Sequence, residues 1–272
     1  MINPRKSIPP RYPKPLIQYV ATICRQIDVK QAVEVNHDRN RWWPPNIDDW
    51  RLRMLVAGWS TRISNNMVST YARVVVQAAD IGYAQLVELP AHRLHQIVAP
   101  LGLPTARQRY LRSLHEYLEK LDSIDCDPRL MDIDQFISDF SQNVDQASFK
   151  VAQCAALYSR GYHCGVIPVD SGMVTKLAPR LGLQLPSGAI AHEAMRRCLE
   201  ADVRQNAGHY RELLREADYH VLIPDDADPS WWLHLVLIYF KRLYCNRPSP
   251  RLCRMVPMCD QVIDCSCVPE AA

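Results

Sequence analysis

Five of the ten cysteines in this 272-residue chain, Cys245, Cys253, Cys259, Cys265 and Cys267, crowd its C-terminal end. Four thiolates at short spacing can hold a [4Fe–4S] cluster or a structural zinc ion, and a set of free thiols is the remaining reading. Cys245, Cys253, Cys259 and Cys265 are the candidate ligands, with Cys267 able to replace Cys265 because one residue separates them. A second set of residues could do covalent chemistry. Lys150 and Cys154 lie four apart, so on a helix they share a face. A lysine amine attacks carbon only when unprotonated, which requires partial burial. Asp170 precedes Ser171 and a helical pattern, so it is a candidate N-cap, and a carboxylate held as a cap is also held rigidly. Taken singly, each has an ordinary reading: an exposed helix lysine, a small buried cysteine, a capping aspartate. Arg107, Arg109 and Arg112 read as a solvated helix face, and His92 and His95 lack a third ligand. Trp42, Trp43, Trp231 and Trp232 suit packing.

Helices must position these residues. Apolar side chains recur at helical spacing from 16 to 33, in four stretches between 50 and 121, and again at 133–140, 149–159, 174–181, 189–204, 209–217 and 231–244. Breaks fall at residues 60–66, Leu89-Pro90 and Gly102-Leu103-Pro104. No multi-strand alternation and no Asn-Gly hairpin is present, which predicts a mainly α fold. Apolar residues make up 48% and charged residues 22%, the mixture of a folded globular protein. The longest apolar stretch is too short to span a bilayer, and the Arg- and Pro-containing start lacks the apolar run of an export signal. No membrane partner is expected, and metal ligation suits the cysteines better than disulfides. A net charge of +3 means that any nucleic-acid contact rests on local basic patches.

Three stretches together resemble the helix-hairpin-helix DNA glycosylase superfamily, which includes endonuclease III, the adenine glycosylase of mismatch repair and 8-oxoguanine DNA glycosylase. The first runs from Leu55 to Met67 and carries Gly58, Trp59, Thr61 and Arg62. The second runs from Ile97 through Gly102 and Arg107 to Leu111. The third and most specific joins Lys150-Val-Ala-Gln-Cys154 to Pro168-Val-Asp170 and is similar to the family's catalytic lysine helix and the aspartate that follows it. With the cysteines, the likeness covers roughly residues 50 to 267. Three departures stand out. Asp145, Gln146, Ala147 and Ser148 occupy the hairpin turn without the family's two glycines, whose backbone N–H groups hold a DNA phosphate. Gly172 stands where the family often has a histidine. The cysteines leave seven, five and five intervening residues, a register unlike the family's.

The resemblance implies a two-lobed helical fold, with a barrel lobe at 51–165 and a second lobe made of 1–50 and 166–272, the DNA cleft lying between them. It implies a glycosylase with lyase activity acting on double-stranded DNA that carries a damaged or modified base, the nucleotide being flipped from the stack. Lys150 would attack C1′ and form a Schiff base, and Asp170 would stabilise the sugar's developing charge. Cys154 would line the base pocket, and Arg62 with Thr61 would enter the space left by the base. Arg107, Gln146 and Ser148, together with Arg247, Arg251 and Arg254 between the cysteines, would contact the DNA backbone. A monomer is expected, cytoplasmic and nucleoid-associated in a bacterium or nuclear in a eukaryote. The rival readings are a catalytically inactive DNA-binding relative and a metal- or redox-responsive regulator.

Overall fold

The computed structural model describes residues 16–40, 42 and 47–246. Among these residues there are helices and no strand, in keeping with the 3.6-residue spacing of apolar side chains. The chain divides into two compact units, one from 39 to 164 and the other joining the residues before 39 to those from 165 onward.

The chain enters the second of these units through α1 (Leu16–Ile23) and α2 (Ile27–His37). The sequence pattern predicts one helix here. A turn at Cys24 and Arg25 splits it, and Gln26 is extended, with φ −71° and ψ 123°. No glycine or proline marks the break, so periodicity runs across it.

The unit from 39 to 164 contains α3 (Trp50–Trp59), α4 (Val68–Ile81), α5 (Tyr83–Glu88), α6 (Ala91–Val98), α7 (Pro104–Asp122), α8 (Ile133–Asn143) and α9 (Phe149–Arg160). The sequence pattern predicts four helices between 50 and 121 where five form. At six residues, α5 is too short to show a period of its own. The Asp49 carboxylate caps α3 by accepting the Arg51 N–H at 2.9 Å. Helix α3 is buried from Met54 to Trp59 and packs along α9, whose residues 151–159 are all buried. A Cβ at Gly58 would fall 2.2 Å from the Tyr110 ring of α7, so only glycine allows this approach of α3 to α7. The Tyr110 hydroxyl then donates to the Met54 carbonyl at 2.9 Å.

In the other unit a π-helical turn (Met173–Leu177) leads into α10 (Ala178–Arg180), followed by α11 (Ile190–Gln205), α12 (Ala207–Glu216) and α13 (Ser230–Phe240). A second π-helical turn (Lys241–Cys245) continues α13. Every residue of α13 is buried, in keeping with a sequence that is apolar apart from Ser230 and His234, and α1 and α2 pack against it. The Trp231 indole N–H donates to the His37 carbonyl at 3.0 Å. On α11 the fully buried Arg196 pairs with Glu193 and Glu200 at 2.8 and 2.5 Å. Burial pushes the Glu200 carboxyl above its ordinary range against the pull of Arg196. Glu200 also accepts the Ile167 N–H at 3.0 Å, which ties the segment before Asp170 to α11.

Candidate functional site

Lys150 is the second residue of α9 and is half-buried. The helix begins there because the exposed Ser148 caps it, its hydroxyl accepting the Val151 N–H at 3.5 Å. One turn further along the same face Cys154 is 8% exposed. Its charge would bear on the phenols of Tyr71, Tyr110 and Tyr158, all of which burial pushes well above their usual range.

The turn before α9 departs from its sequence expectation in an informative way. Gln146 has φ 65°, the left-handed backbone that glycine ordinarily supplies. A left-handed residue thus stands in this turn without being glycine. The turn's polar contacts differ, however. The Asp145 N–H donates to the Ser113 hydroxyl at 2.9 Å, and the Asp145 carboxylate accepts from Gln146 Nε2 at 2.8 Å and pairs with Arg109 at 2.7 Å. The hydrogen bond from Gln146 and the Arg109 guanidinium hold this carboxyl below the usual aspartate range. A negative charge thus sits beside the turn expected to hold a phosphate.

Arg107 corrects the sequence reading. It is 4% exposed and faces inward from α7, so it is not a surface arginine available to DNA. Its guanidinium donates to four backbone carbonyls: Gly102 at 2.8 Å, Leu101 at 3.0 Å, Thr61 at 3.1 Å, and Trp59. No carboxylate pairs with it among the described residues, and burial lowers its pKa to about 10. Arg107 fastens the end of α3 and the turn after it to the start of α7. That turn carries Thr61, whose hydroxyl donates to the Gly58 carbonyl, and Arg62, which is exposed at φ 56°. Arg62 has no partner among the described residues. Arg112 is exposed, as are His92 and His95.

Asp170 belongs to the other unit. It follows residues 166–169, three of which, Val166, Ile167 and Val169, have no exposed surface. One carboxylate oxygen accepts the Met173 N–H at 2.7 Å, which makes Asp170 the cap expected from its place in the sequence. The other pairs with Lys241 Nζ at 2.5 Å. Lys241 is 4% exposed and lies at the end of α13, where eleven buried residues precede it. Sequence reasoning passed over it as part of an apolar helix. The available signal was the first of two cations, Lys241 and Arg242, closing an otherwise uncharged run.

Cys245 is buried at the end of the second π-helical turn. Cys253, Cys259, Cys265, Cys267, Arg247, Arg251 and Arg254 lie outside the described residues. Among the described residues no group of three or more His, Cys, Asp or Glu side chains is placed to hold a metal ion, and no helix is long and apolar enough to cross a membrane.

No family model matches the sequence, and no curated protein matches it. Solved structures do match the fold. The H. pylori 3-methyladenine DNA glycosylase bound to 1,N6-ethenoadenine is 13% identical, with a TM-score of 0.54, and the match covers 83% of this chain and 97% of that one. The Thermotoga maritima 8-oxoguanine DNA glycosylase is also 13% identical, with a TM-score of 0.48 over 85% of this chain and 98% of that one. The fold is therefore like that of the H. pylori DNA glycosylase, at low sequence identity.

Proposed function

We propose that this chain is a DNA glycosylase of base-excision repair that removes a damaged or modified base, with Lys150 as nucleophile and Asp170 as the assisting carboxylate. The observation that carries the reading is the fold likeness to the H. pylori enzyme over 83% of the chain. Lys150, Cys154 and Asp170 supply the chemistry within that fold. In the proposed reaction the unprotonated Lys150 amine attacks C1′ of the flipped nucleotide. The N-glycosidic bond breaks, and the base leaves with its electron pair and takes up a proton. Opening of the sugar gives a Schiff base on Lys150, and loss of the C2′ proton expels the 3′-phosphate, nicking the strand. Asp170, ionised, offsets the positive charge that develops on the sugar. Arginine at position 150 would fail because it stays protonated.

Cys245, Cys253, Cys259 and Cys265 would hold a [4Fe–4S] cluster, with structural zinc as the alternative. A thiolate set fits either, and the buried setting of Cys245 suits a ligand shielded from water. The group's role would be to fix the C-terminal segment. A second reading, an inactive DNA-binding relative, is favoured by one feature, the Asp145 carboxylate at the turn before α9. Borohydride trapping on a duplex with an abasic site, run beside excision assays on duplexes carrying single modified bases, separates the two. An adduct that disappears in Lys150→Met supports catalysis, whereas tight binding without adduct or excision establishes the second reading.

A further inference from the structure

We propose that Lys241 is the positioning residue for Asp170: its ammonium fixes the carboxylate's orientation and charge before DNA binds. This inference rests on the glycosylase reading for its consequence, but not for the pairing itself. An ammonium is among the groups least often buried, because removal from water is costly unless a counter-charge compensates. Lys241 is nevertheless 4% exposed, on a helix that uses apolar residues for the same packing from Trp231 onward, apart from His234. Its Nζ lies 2.5 Å from Asp170 Oδ2, while Asp170 Oδ1 accepts the Met173 N–H at 2.7 Å. Each oxygen therefore has a directed donor, and the carboxylate cannot rotate without giving up both.

The surroundings are shaped to admit the amine. A Cβ at Gly172 would lie 3.0 Å from Lys241 Nζ, 3.2 Å from its Cδ and 3.3 Å from Asp170 Oδ1. Gly172 has φ −72°, an ordinary helical value, so the glycine is needed for room and not for its backbone. The resemblance leads one to expect a histidine in this place, which the lysine chain excludes sterically. Asp170 lies three residues before one π-helical turn and Lys241 opens the other, and such turns are rare and frequently mark functional sites. The Glu200 contact to the Ile167 N–H holds the incoming chain from the far side. With so many constraints on one carboxylate, Asp170 is set in place in the free protein, and DNA need only bring the sugar to it.

Two measurements on the full chain test this. The first is a double-mutant cycle in urea using Lys241→Met, Asp170→Asn and the pair. The expected coupling is about tenfold in the unfolding equilibrium constant, and additive single effects overturn the inference. The second is single-turnover excision beside DNA affinity for Lys241→Met and Gly172→Ala. Gly172→Ala keeps the lysine but puts a methyl 3.0 Å from its Nζ, displacing the amine against the carboxylate by a few tenths of an ångström, and it serves if Lys241→Met does not fold. Both variants should slow the chemical step by about 10- to 100-fold while the DNA dissociation constant moves less than about threefold. Coupling without any loss of rate would reduce the pair to a structural contact and overturn the positioning role. A wild-type chain that gives neither excision nor adduct sinks the glycosylase reading instead, and the cycle still decides whether Lys241 holds Asp170.

Discussion

Arg107 shows how much one inward-facing side chain can govern. Its guanidinium serves the carbonyls of Trp59, Thr61, Leu101 and Gly102, and no carboxylate shares the site among the described residues. Its cost of burial is thus met by backbone dipoles alone. Arg107→Met leaves those carbonyls without their donor, and a loss of about 3 kcal/mol in urea unfolding is expected. Arg107→Lys should recover only part of it, because one ammonium cannot spread over four acceptors in a planar fork. A destabilisation below about 0.5 kcal/mol would show that water replaces the guanidinium readily. The sequence presents Arg107, Arg109 and Arg112 as one basic face. Their fates differ because 107 falls on the stripe of α7 that also buries Tyr110, Leu111 and Leu114, while 109 and 112 point outward.

At the scale of elements, the turn between α8 and α9 combines a left-handed residue with a negative charge. Gln146 adopts the left-handed backbone without being glycine, and Asp145 places a carboxylate beside the N-terminal end of α9. Removing that charge should strengthen DNA binding. Asp145→Asn is expected to lower the dissociation constant for a duplex several-fold at low salt, the gain shrinking as salt rises. Unchanged affinity would place the DNA elsewhere on the unit. The helices themselves were legible from periodicity, since long amphipathic segments such as α7 and α11 repeat the apolar spacing several times. The break after α1 and the six-residue α5 were not, because the first lacks a glycine or proline and the second lacks length. The Lys150 and Cys154 pairing was readable from spacing on one helix, and Asp170 as a cap from its position before a helical pattern. Lys241 was hidden because its partner lies 71 residues away in sequence, a separation that no local pattern reports.

For the molecule as a whole, a net charge of +3 gives only weak overall attraction to DNA, so the binding that the proposed function requires would rest on particular side chains such as the exposed Arg62. The cysteine set adds a test of composition. Purified protein should carry four irons per chain with visible absorbance, and Cys253→Ser should lose them. Stoichiometric zinc in a colourless protein would replace the cluster and leave the glycosylase reading intact. The fold is shared with the H. pylori DNA glycosylase at 13% identity, a level at which the arrangement of helices persists while nearly every side chain has changed. In the proposed function, what the chain does would depend on a few residues, above all the amine at position 150.

The most direct test of that dependence is to trap the protein with borohydride on abasic-site DNA, digest it, and locate the linked residue by mass spectrometry. The account predicts a reduced sugar on Lys150, in the peptide that continues through Cys154. A linkage on Lys241 or any other amine, with Lys150 unmodified, would contradict it.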